Sequence, residues 1–137
     1  MREFTVRQAA ALLGVSDDTV RRWGESGRVA LRKGTNGRST IAGTQLVDLL
    51  RESAAGTALT DEFPTARSSS RNKITGLVTR IQVDGVMAQV DLQAGPFRVV
   101  SLLSREAVEE LGLEVGMLAV ASIKATTVSV ELPAGEA

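Results

Sequence analysis

The sequence contains no cysteine and no histidine among its 137 residues. Without cysteine the chain forms no disulfide and no zinc–thiolate site. Without histidine it lacks the commonest remaining metal ligand and the usual general base. No nucleophile–base pair stands out either. We therefore expect no catalytic residue, no bound metal cation and no cofactor, and hence no enzymatic activity.

Long apolar runs are also missing. No segment is long and apolar enough to span a bilayer, and the N-terminus lacks the apolar core of a signal peptide. These absences predict a soluble cytoplasmic protein without a membrane partner. A length of 137 residues suits one ordinary domain or two small ones, because each domain must bury a core of its own.

Charge is balanced over the whole chain but not along it. Residues 1–53 contain nine lysines and arginines against six acidic residues, a net charge of +3. Residues 74–137 contain four against eight, a net charge of −4. A surface that binds a polyanion is therefore expected in the first half of the chain.

The N-terminal residues predict two short helices joined by a turn. Thr5 and Gln8 have the spacing of a capping box, and Gly14 supplies a helix stop. Ser16 is a good N-cap for a second helix, which Gly27 ends. This arrangement is a helix-turn-helix, whose second helix enters the DNA major groove.

A hairpin and a third helix are predicted to follow. Strands at 29–32 and 39–41 flank the tight-turn dipeptide Asn36-Gly37, and a helix is expected from Thr44 to about Arg51. The hairpin has the position of a wing. Residues 1–53 are therefore predicted to form a winged helix-turn-helix domain.

The run V-S-D-D-T-V-R-R-W, followed by S-G-R-V, resembles the MerR/excisionase type of helix-turn-helix. The resemblance implies DNA binding by the second helix and by the wing. The residues it assigns to DNA are Ser16, Thr19, Arg21, Arg22, Arg32, Lys33 and Arg38. The alternative is that these residues form only the solvated charged face of a small helical domain.

In the second half of the chain, the hydrophobic pattern changes to the alternation that is typical of β-strands. Residues 54–68 are rich in Ala, Thr and Ser and are predicted to be a linker. Strands are expected at 74–83, 86–92, 97–103, 117–124 and 127–132, with a short helix capped by Ser104 and ending near Leu111. This is the element order of an OB-like barrel. The predicted fold class is α+β with two domains, the second a five-stranded OB-like β-barrel with one short helix at 69–137.

OB barrels often bind single-stranded nucleic acid, which requires aromatic stacking platforms and a basic groove. Phe97 is the single aromatic residue of this barrel, and the net charge there is negative. Nucleic-acid binding by the barrel is therefore not expected.

Four motifs of the second half occur in a fixed order. They are S-S-R-N-K-I-T-G from Ser69, S-L-L-S from Ser101, L-G-L-E-V-G from Leu111 and I-K-A-T from Ile123. Together they resemble the molybdate-binding mop domain, a small domain of the TOBE class. Ser70 stands where that family usually has alanine, which is a change of one small residue for another.

The resemblance implies a site for the molybdate or tungstate oxyanion. Its residues would be Ser69, Arg71, Ser101, Ser104, Lys124 and the backbone N–H of Ala125. Ser104 also starts a helix, where free N–H groups suit an anion. The alternatives are that Ser104 is only an N-cap, that Lys124 is a solvated lysine, and that Arg71 is one more linker charge.

In mop-like domains the pocket lies between subunits, so the resemblance also implies a homo-oligomer, a dimer or larger. The leading hypothesis is a molybdate- or tungstate-sensing transcriptional regulator with DNA as its partner. The alternative is an oxyanion storage or buffering protein whose helical domain aids assembly.

Overall fold

The computed structural model describes residues 2–55 and 57–135 and divides the chain into two compact units. Unit 1 is Met1–Glu62 and unit 2 is Phe63–Ala137. Each unit has its own hydrophobic core. Across the two described ranges, no helix is long and apolar enough to cross a membrane.

Unit 1 combines four helices with a small antiparallel sheet. Its elements are β1 (Glu3–Thr5), α1 (Val6–Leu13), α2 (Asp17–Glu25), β2 (Arg32–Lys33), β3 (Ser39–Ala42), α3 (Gly43–Ala54) and α4 (Ala58–Glu62). The three strands pair in the order β1-β3-β2. Helix α4 lies within the segment that was predicted to be a linker.

Local side-chain hydrogen bonds fix the starts of α1 and α2. The Gln8 N–H donates to Thr5 Oγ1 at 3.2 Å, and the Thr5 N–H donates to Gln8 Oε1 at 3.0 Å. This is the predicted capping box, which satisfies two backbone donors at once. Gly14 ends α1 with φ 71°, and the Thr19 N–H donates to the Ser16 hydroxyl at 3.1 Å. The predicted helix-turn-helix is therefore confirmed in its caps and in its turn.

The core of unit 1 lies beneath α1, α2 and α3. Val20 and Ile41 are fully buried, and Trp23 packs against the core from one side. The Arg28 guanidinium carbon lies 4.4 Å from the centroid of the Trp23 ring, within the range of a cation–π contact. Trp23 is thus part of the packing, as its position on the apolar face of α2 predicts.

The hairpin differs from its prediction on one side. The strand expected at 29–32 is reduced to β2, because residues 29 and 30 are held by the helices instead of by the sheet. Val29 is buried and its N–H donates to the Trp23 carbonyl at 3.2 Å, while the Ala30 N–H donates to Gln45 Oε1 at 2.8 Å. Strand β1 was not predicted, since three residues are too few to show an alternating pattern.

Unit 2 is a four-stranded antiparallel sheet with one helix. Its elements are β4 (Asn72–Asp84), β5 (Met87–Ala94), β6 (Phe97–Ser104), α5 (Arg105–Leu111) and β7 (Leu118–Ile123). The strands pair in the order β6-β5-β4-β7. Val78, Val90 and Leu92 form the centre of its core, and Val108 of α5 closes it. These four strands and the helix match the predicted elements in type and order.

The fifth strand, predicted at 127–132, is not formed. A single 3-10 turn at Ala125–Thr127 follows β7, and the residues after it pair with no strand in the described part of the chain. Val128, Val130 and Leu132 have the alternating apolar pattern of a strand, yet they remain 46%, 93% and 67% exposed. A strand also needs a partner, and within this chain the 3-10 turn separates the segment from β7.

A buried carboxylate links β5 to β6. Asp91 accepts hydrogen bonds from Arg98 Nε at 3.0 Å and Nη2 at 2.8 Å, and from Gln89 Nε2 at 3.0 Å. The Gln89 amide first, and then the Arg98 guanidinium, lower the pKa of Asp91 below its ordinary value of 3.8, although burial opposes them. Asp91 therefore stays ionised at neutral pH.

Gly76, the last residue of the S-S-R-N-K-I-T-G motif, allows β4 to approach β5 closely. A Cβ at this position would lie 2.6 Å from the Gln93 carbonyl oxygen and 2.9 Å from its carbon. Both contacts are with backbone, which cannot move aside as a flexible side chain would. The position therefore requires glycine for steric reasons.

We predict that Gly76→Ala destabilises unit 2 by about 1–3 kcal/mol, the usual cost of overpacking. Urea unfolding followed by circular dichroism measures this. Trp23 is the only tryptophan and lies in unit 1, so the fluorescence transition should stay unchanged. Ser122→Ala, at an exposed position of β7, is the control. Equal unfolding midpoints for the two variants would contradict the steric explanation.

Candidate nucleic-acid interface and oxyanion site

Helix α2 carries a connected polar group on its exposed side. The hydroxyls of Ser16 and Thr19 lie 2.9 Å apart, and Arg22 Nη2 donates to Thr19 Oγ1 at 3.2 Å. Three of the residues assigned to DNA therefore form one hydrogen-bonded cluster. The cluster begins at the N-cap of α2 and extends along its first turns.

Arg21 faces a different neighbourhood from Arg22, because successive helical residues are rotated by about 100°. Arg21, Arg38 and Arg7 border one open cavity of about 390 Å³. The structure thus brings together two of the predicted DNA residues, and it adds Arg7 to them. Arg7 was missed because its place in the capping-box motif gives no sign of what lies beside it in space.

The two basic residues of β2 differ in their surroundings. Arg32 Nη1 lies 3.4 Å from Glu3 Oε1, and the Thr40 hydroxyl donates to Glu3 Oε2 at 3.3 Å. The Glu3 carboxylate therefore partly neutralises Arg32. Lys33, which pairs with Ser39 in the hairpin, is exposed, and its side chain has no hydrogen-bond or ion-pair partner among the described residues.

In unit 2, one contact joins the first and the last of the four motifs. The Lys124 ammonium donates to the Ser69 hydroxyl at 3.2 Å, across 55 positions of sequence. Antiparallel pairing places Asn72 opposite Ile123, and the Asn72 amide donates to the Ile123 carbonyl at 3.2 Å. The start of β4 and the end of β7 therefore hold this pair of side chains together.

The neighbours of this contact are also polar. Arg71 immediately precedes β4, and Ala125 is the first residue of the 3-10 turn that Lys124 caps. The Lys73 ammonium donates to the Ala66 carbonyl and so ties the incoming segment to β4. Asn72 and Lys73 were not among the predicted site residues, although both lie within the quoted motif. Their contribution is to position the ends of the strands.

Neither Ser101 nor Ser104 forms a side-chain hydrogen bond with Ser69 or Lys124 among the described residues. Ser101 is opposite Val90 in the sheet and lines, with Ser122 and Ile123, a largely apolar cleft of about 480 Å³. Ser104 pairs with Met87, which pairs with Asp84 at the end of β4 remote from Asn72. A single chain therefore does not bring all six predicted oxyanion residues together.

Ser104 is engaged as a helix cap. Its hydroxyl accepts the Ala107 N–H at 3.0 Å, and it shares a cavity of about 370 Å³ with Arg105, Glu106 and Glu109. Arg105 Nε pairs with Glu109 Oε1 at 3.1 Å, so the Glu106 carboxylate leaves a net negative charge that disfavours an oxyanion at this position within one chain. The cluster at Ser69 and Lys124 has the more suitable chemistry, since an ammonium, a hydroxyl and backbone N–H groups all donate to an oxyanion.

Comparison with known families follows the same division of the chain. Residues 3–54 match the model of a helix-turn-helix domain, and residues 68–130 match the model of the TOBE domain. The chain carries a helix-turn-helix domain followed by a TOBE domain. Both are binding and regulatory modules and not enzymes. The Ser69–Lys124 contact belongs to the TOBE domain, and the α2 cluster belongs to the helix-turn-helix domain.

Solved structures similar to part of the chain include the following three. MopII from Clostridium pasteurianum is 34% identical and covers 48% of this chain and 100% of its own, with a TM-score of 0.46. A molybdate-binding protein from Sporomusa ovata is 28% identical and covers 49% of this chain and 100% of its own, with a TM-score of 0.48. The cytoplasmic molybdate-binding protein ModG, solved with molybdate bound, is 43% identical. It covers 44% of this chain and 43% of its own, with a TM-score of 0.42. No curated protein matched the chain.

Proposed function

We propose that the protein is a DNA-binding transcriptional regulator that senses molybdate or tungstate. The observation that carries this proposal is the presence of a helix-turn-helix domain and a TOBE domain in one chain. The first domain would bind DNA and the second would bind the oxyanion. The TOBE-domain motifs, with their resemblance to the mop domain, support molybdate or tungstate as the ligand.

The oxyanion would bind at the Ser69–Lys124 contact. A tetrahedral dianion loses much of its hydration on binding, so it needs charged donors as well as hydroxyls. Lys124 already lies within hydrogen-bond distance of Ser69, and Arg71 and the Ala125 N–H are adjacent in the chain. These groups supply two positive charges to an otherwise acidic domain.

The site would be completed by a second copy of the chain. Ser101 and Ser104 belong to the same set of motif residues, yet Ser104 lies at the opposite end of the sheet from Ser69. If all of them contribute, then donors from two chains must meet at a subunit interface. This is the arrangement that the mop resemblance implies, and it requires a homo-oligomer.

The exposed apolar surface of the TOBE domain supports self-association. Within the described residues, β6 and β7 each have an edge without a partner strand. The cleft lined by residues of both strands is mainly apolar, and the unpaired segment 128–132 exposes three apolar side chains. Unpaired edges beside apolar surface are sites where another chain adds on.

The proposed mechanism is linkage between the two ligands. An oxyanion bound between subunits favours one arrangement of the TOBE domains over others. That arrangement sets the spacing of the two α2 helices and hence their fit to a DNA site. Molybdate would therefore change DNA affinity, and DNA would change molybdate affinity by the same factor.

Storage or buffering of the oxyanion is the second candidate function. It is favoured by the ion pair that engages one of the predicted DNA-binding arginines, Arg32 with Glu3. Both functions require the oxyanion site. They differ in whether the helix-turn-helix domain binds DNA, and a gel shift with the upstream DNA of the gene, with and without molybdate, distinguishes them.

We predict that Arg22→Ala weakens specific DNA binding by about 1–3 kcal/mol, because a base contact would be lost. Gel shifts on the upstream DNA measure the effect. Arg80→Ala, which removes the same charge from the TOBE domain, is the control and should bind DNA like the wild type. Absence of wild-type binding to any genomic fragment at low salt would reject the regulator and leave storage.

We predict that the wild-type protein is oligomeric at micromolar concentration and that Val130→Asp shifts it towards the monomer. The substitution introduces a charge at a side chain that is 93% exposed in the single chain, so it should leave the fold intact. Light scattering measures the mass. Leu12→Asp, at a position that is 52% exposed on α1 of unit 1, is the control. A monomeric wild type, with and without molybdate, contradicts the interface site.

We predict that Lys124→Ala and Arg71→Ala each weaken molybdate binding by about 1.5–3 kcal/mol, or one to two decades in affinity. Each variant loses one charge-assisted hydrogen bond to the dianion. Calorimetric titration with molybdate, tungstate and sulfate measures this, and Arg80→Ala is the control. Sulfate should compete poorly, because its shorter bonds leave the donors too far away. Unchanged affinity in both variants would show that the resemblance extends to the fold alone.

A further inference from the structure

Three arginines from separate elements of unit 1 meet at one cavity. Arg7 lies in the first turn of α1, Arg21 lies on α2, and Arg38 immediately precedes β3. All three border the open cavity of about 390 Å³ beside the capping box of α1. They come together only in the fold, since the rest of α1, helix α2 and strand β2 separate Arg7 from Arg38.

Positive charge dominates this cavity. Its lining includes three arginines and a single acidic residue, Asp17. Within the described residues, neither the Arg7 nor the Arg38 side chain has a hydrogen-bond or ion-pair partner. Arg21 has only a loose pair with Asp18 at 3.7 Å, and the Asp18 side chain is 90% exposed. The positive charge of these arginines is therefore only partly compensated by the protein itself.

The start of α1 adds to the same field. The capping box satisfies the N–H of Gln8, and the remaining donors of the first turn lie at the positive end of the helix dipole. This contribution is secondary to the arginines. It reinforces them because Thr5 and Val6 also line the cavity.

We propose that this cavity binds a backbone phosphate of DNA, with Arg7 and Arg38 as its principal donors and Arg21 as a third. The proposal rests on the proposed DNA binding and adds a binding site and a residue, Arg7, to it. A phosphodiester carries one negative charge and accepts bidentate hydrogen bonds from guanidinium groups. The net charge of the cavity suits such a group even with Asp17 present.

The site would also orient α2. A phosphate held beside Arg21 fixes one side of the helix against the DNA backbone. The cluster of Ser16, Thr19 and Arg22 lies in a different direction around the helix and is left free to contact bases. Phosphate contacts position a protein and base contacts specify the sequence, so α2 would divide these two tasks between neighbouring arginines.

The test compares Arg7→Ala and Arg38→Ala with Arg51→Ala, which removes the same charge from an exposed position in the last turn of α3. Fluorescence anisotropy on the full-length protein measures affinity for the upstream DNA and for a scrambled duplex over a series of salt concentrations. We expect each cavity variant to lose about fivefold to tenfold in affinity for both duplexes, and its salt slope to fall by about one. Arg7→Lys should restore the slope, because it restores the charge.

Several results would overturn the proposal, and they are distinguishable. Cavity variants that match Arg51→Ala in affinity and slope, while the wild type binds DNA, reject the phosphate site and leave the regulator standing. A loss confined to the upstream DNA assigns these arginines to base contacts instead. A wild type that binds neither duplex rejects both the site and DNA binding. Circular dichroism of each variant confirms that a loss does not come from unfolding.

Discussion

The edge of a β-sheet leaves backbone N–H and C=O groups without partners, and the TOBE domain has two such edges in the described chain. Strand β7 is one of them, and Lys124, which bonds Ser69, directly follows its last residue. The candidate oxyanion site therefore lies next to an unpaired edge of the sheet. Ligand binding and assembly would thus depend on the same strand.

The features that the sequence predicts well are those that neighbouring residues decide. The caps formed by Thr5, Gln8 and Ser16 join residues three positions apart. Four or five consecutive residues are therefore enough to predict where each helix begins. Gly14 ends its helix for an equally local reason. The hairpins of the TOBE domain follow from Gly85 and Gly95, which adopt positive φ in the turns between strands. In each case the interacting residues are only a few positions apart in the sequence.

The features that were predicted wrongly, or not predicted, depend on residues that are far apart in the sequence. Segment 128–132 has the composition of a strand, but pattern alone does not provide a strand to pair with. The N–H groups of Val29 and Ala30 donate to Trp23 and Gln45 instead of to a neighbouring strand. These contacts form only in the packed domain. The candidate sites divide in the same way. The order of the motifs predicted Ser69 and Lys124 as site residues. Arg7 and Arg38, in contrast, border the same cavity only in the folded domain. The carboxylates near Ser104 are likewise not indicated by any motif.

The buried Asp91 makes the stability of the TOBE domain depend on pH. Its folded pKa lies below the ordinary 3.8, so the unfolded chain takes up the proton first as the pH falls. The stability that the ionised carboxylate contributes is complete above that ordinary value and is lost as the pH falls through the lowered one. Protonation weakens the hold of Asp91 on Arg98 and therefore the pairing of β5 with β6. Acid would therefore loosen β6, the strand that carries Ser101 and one of the two open edges.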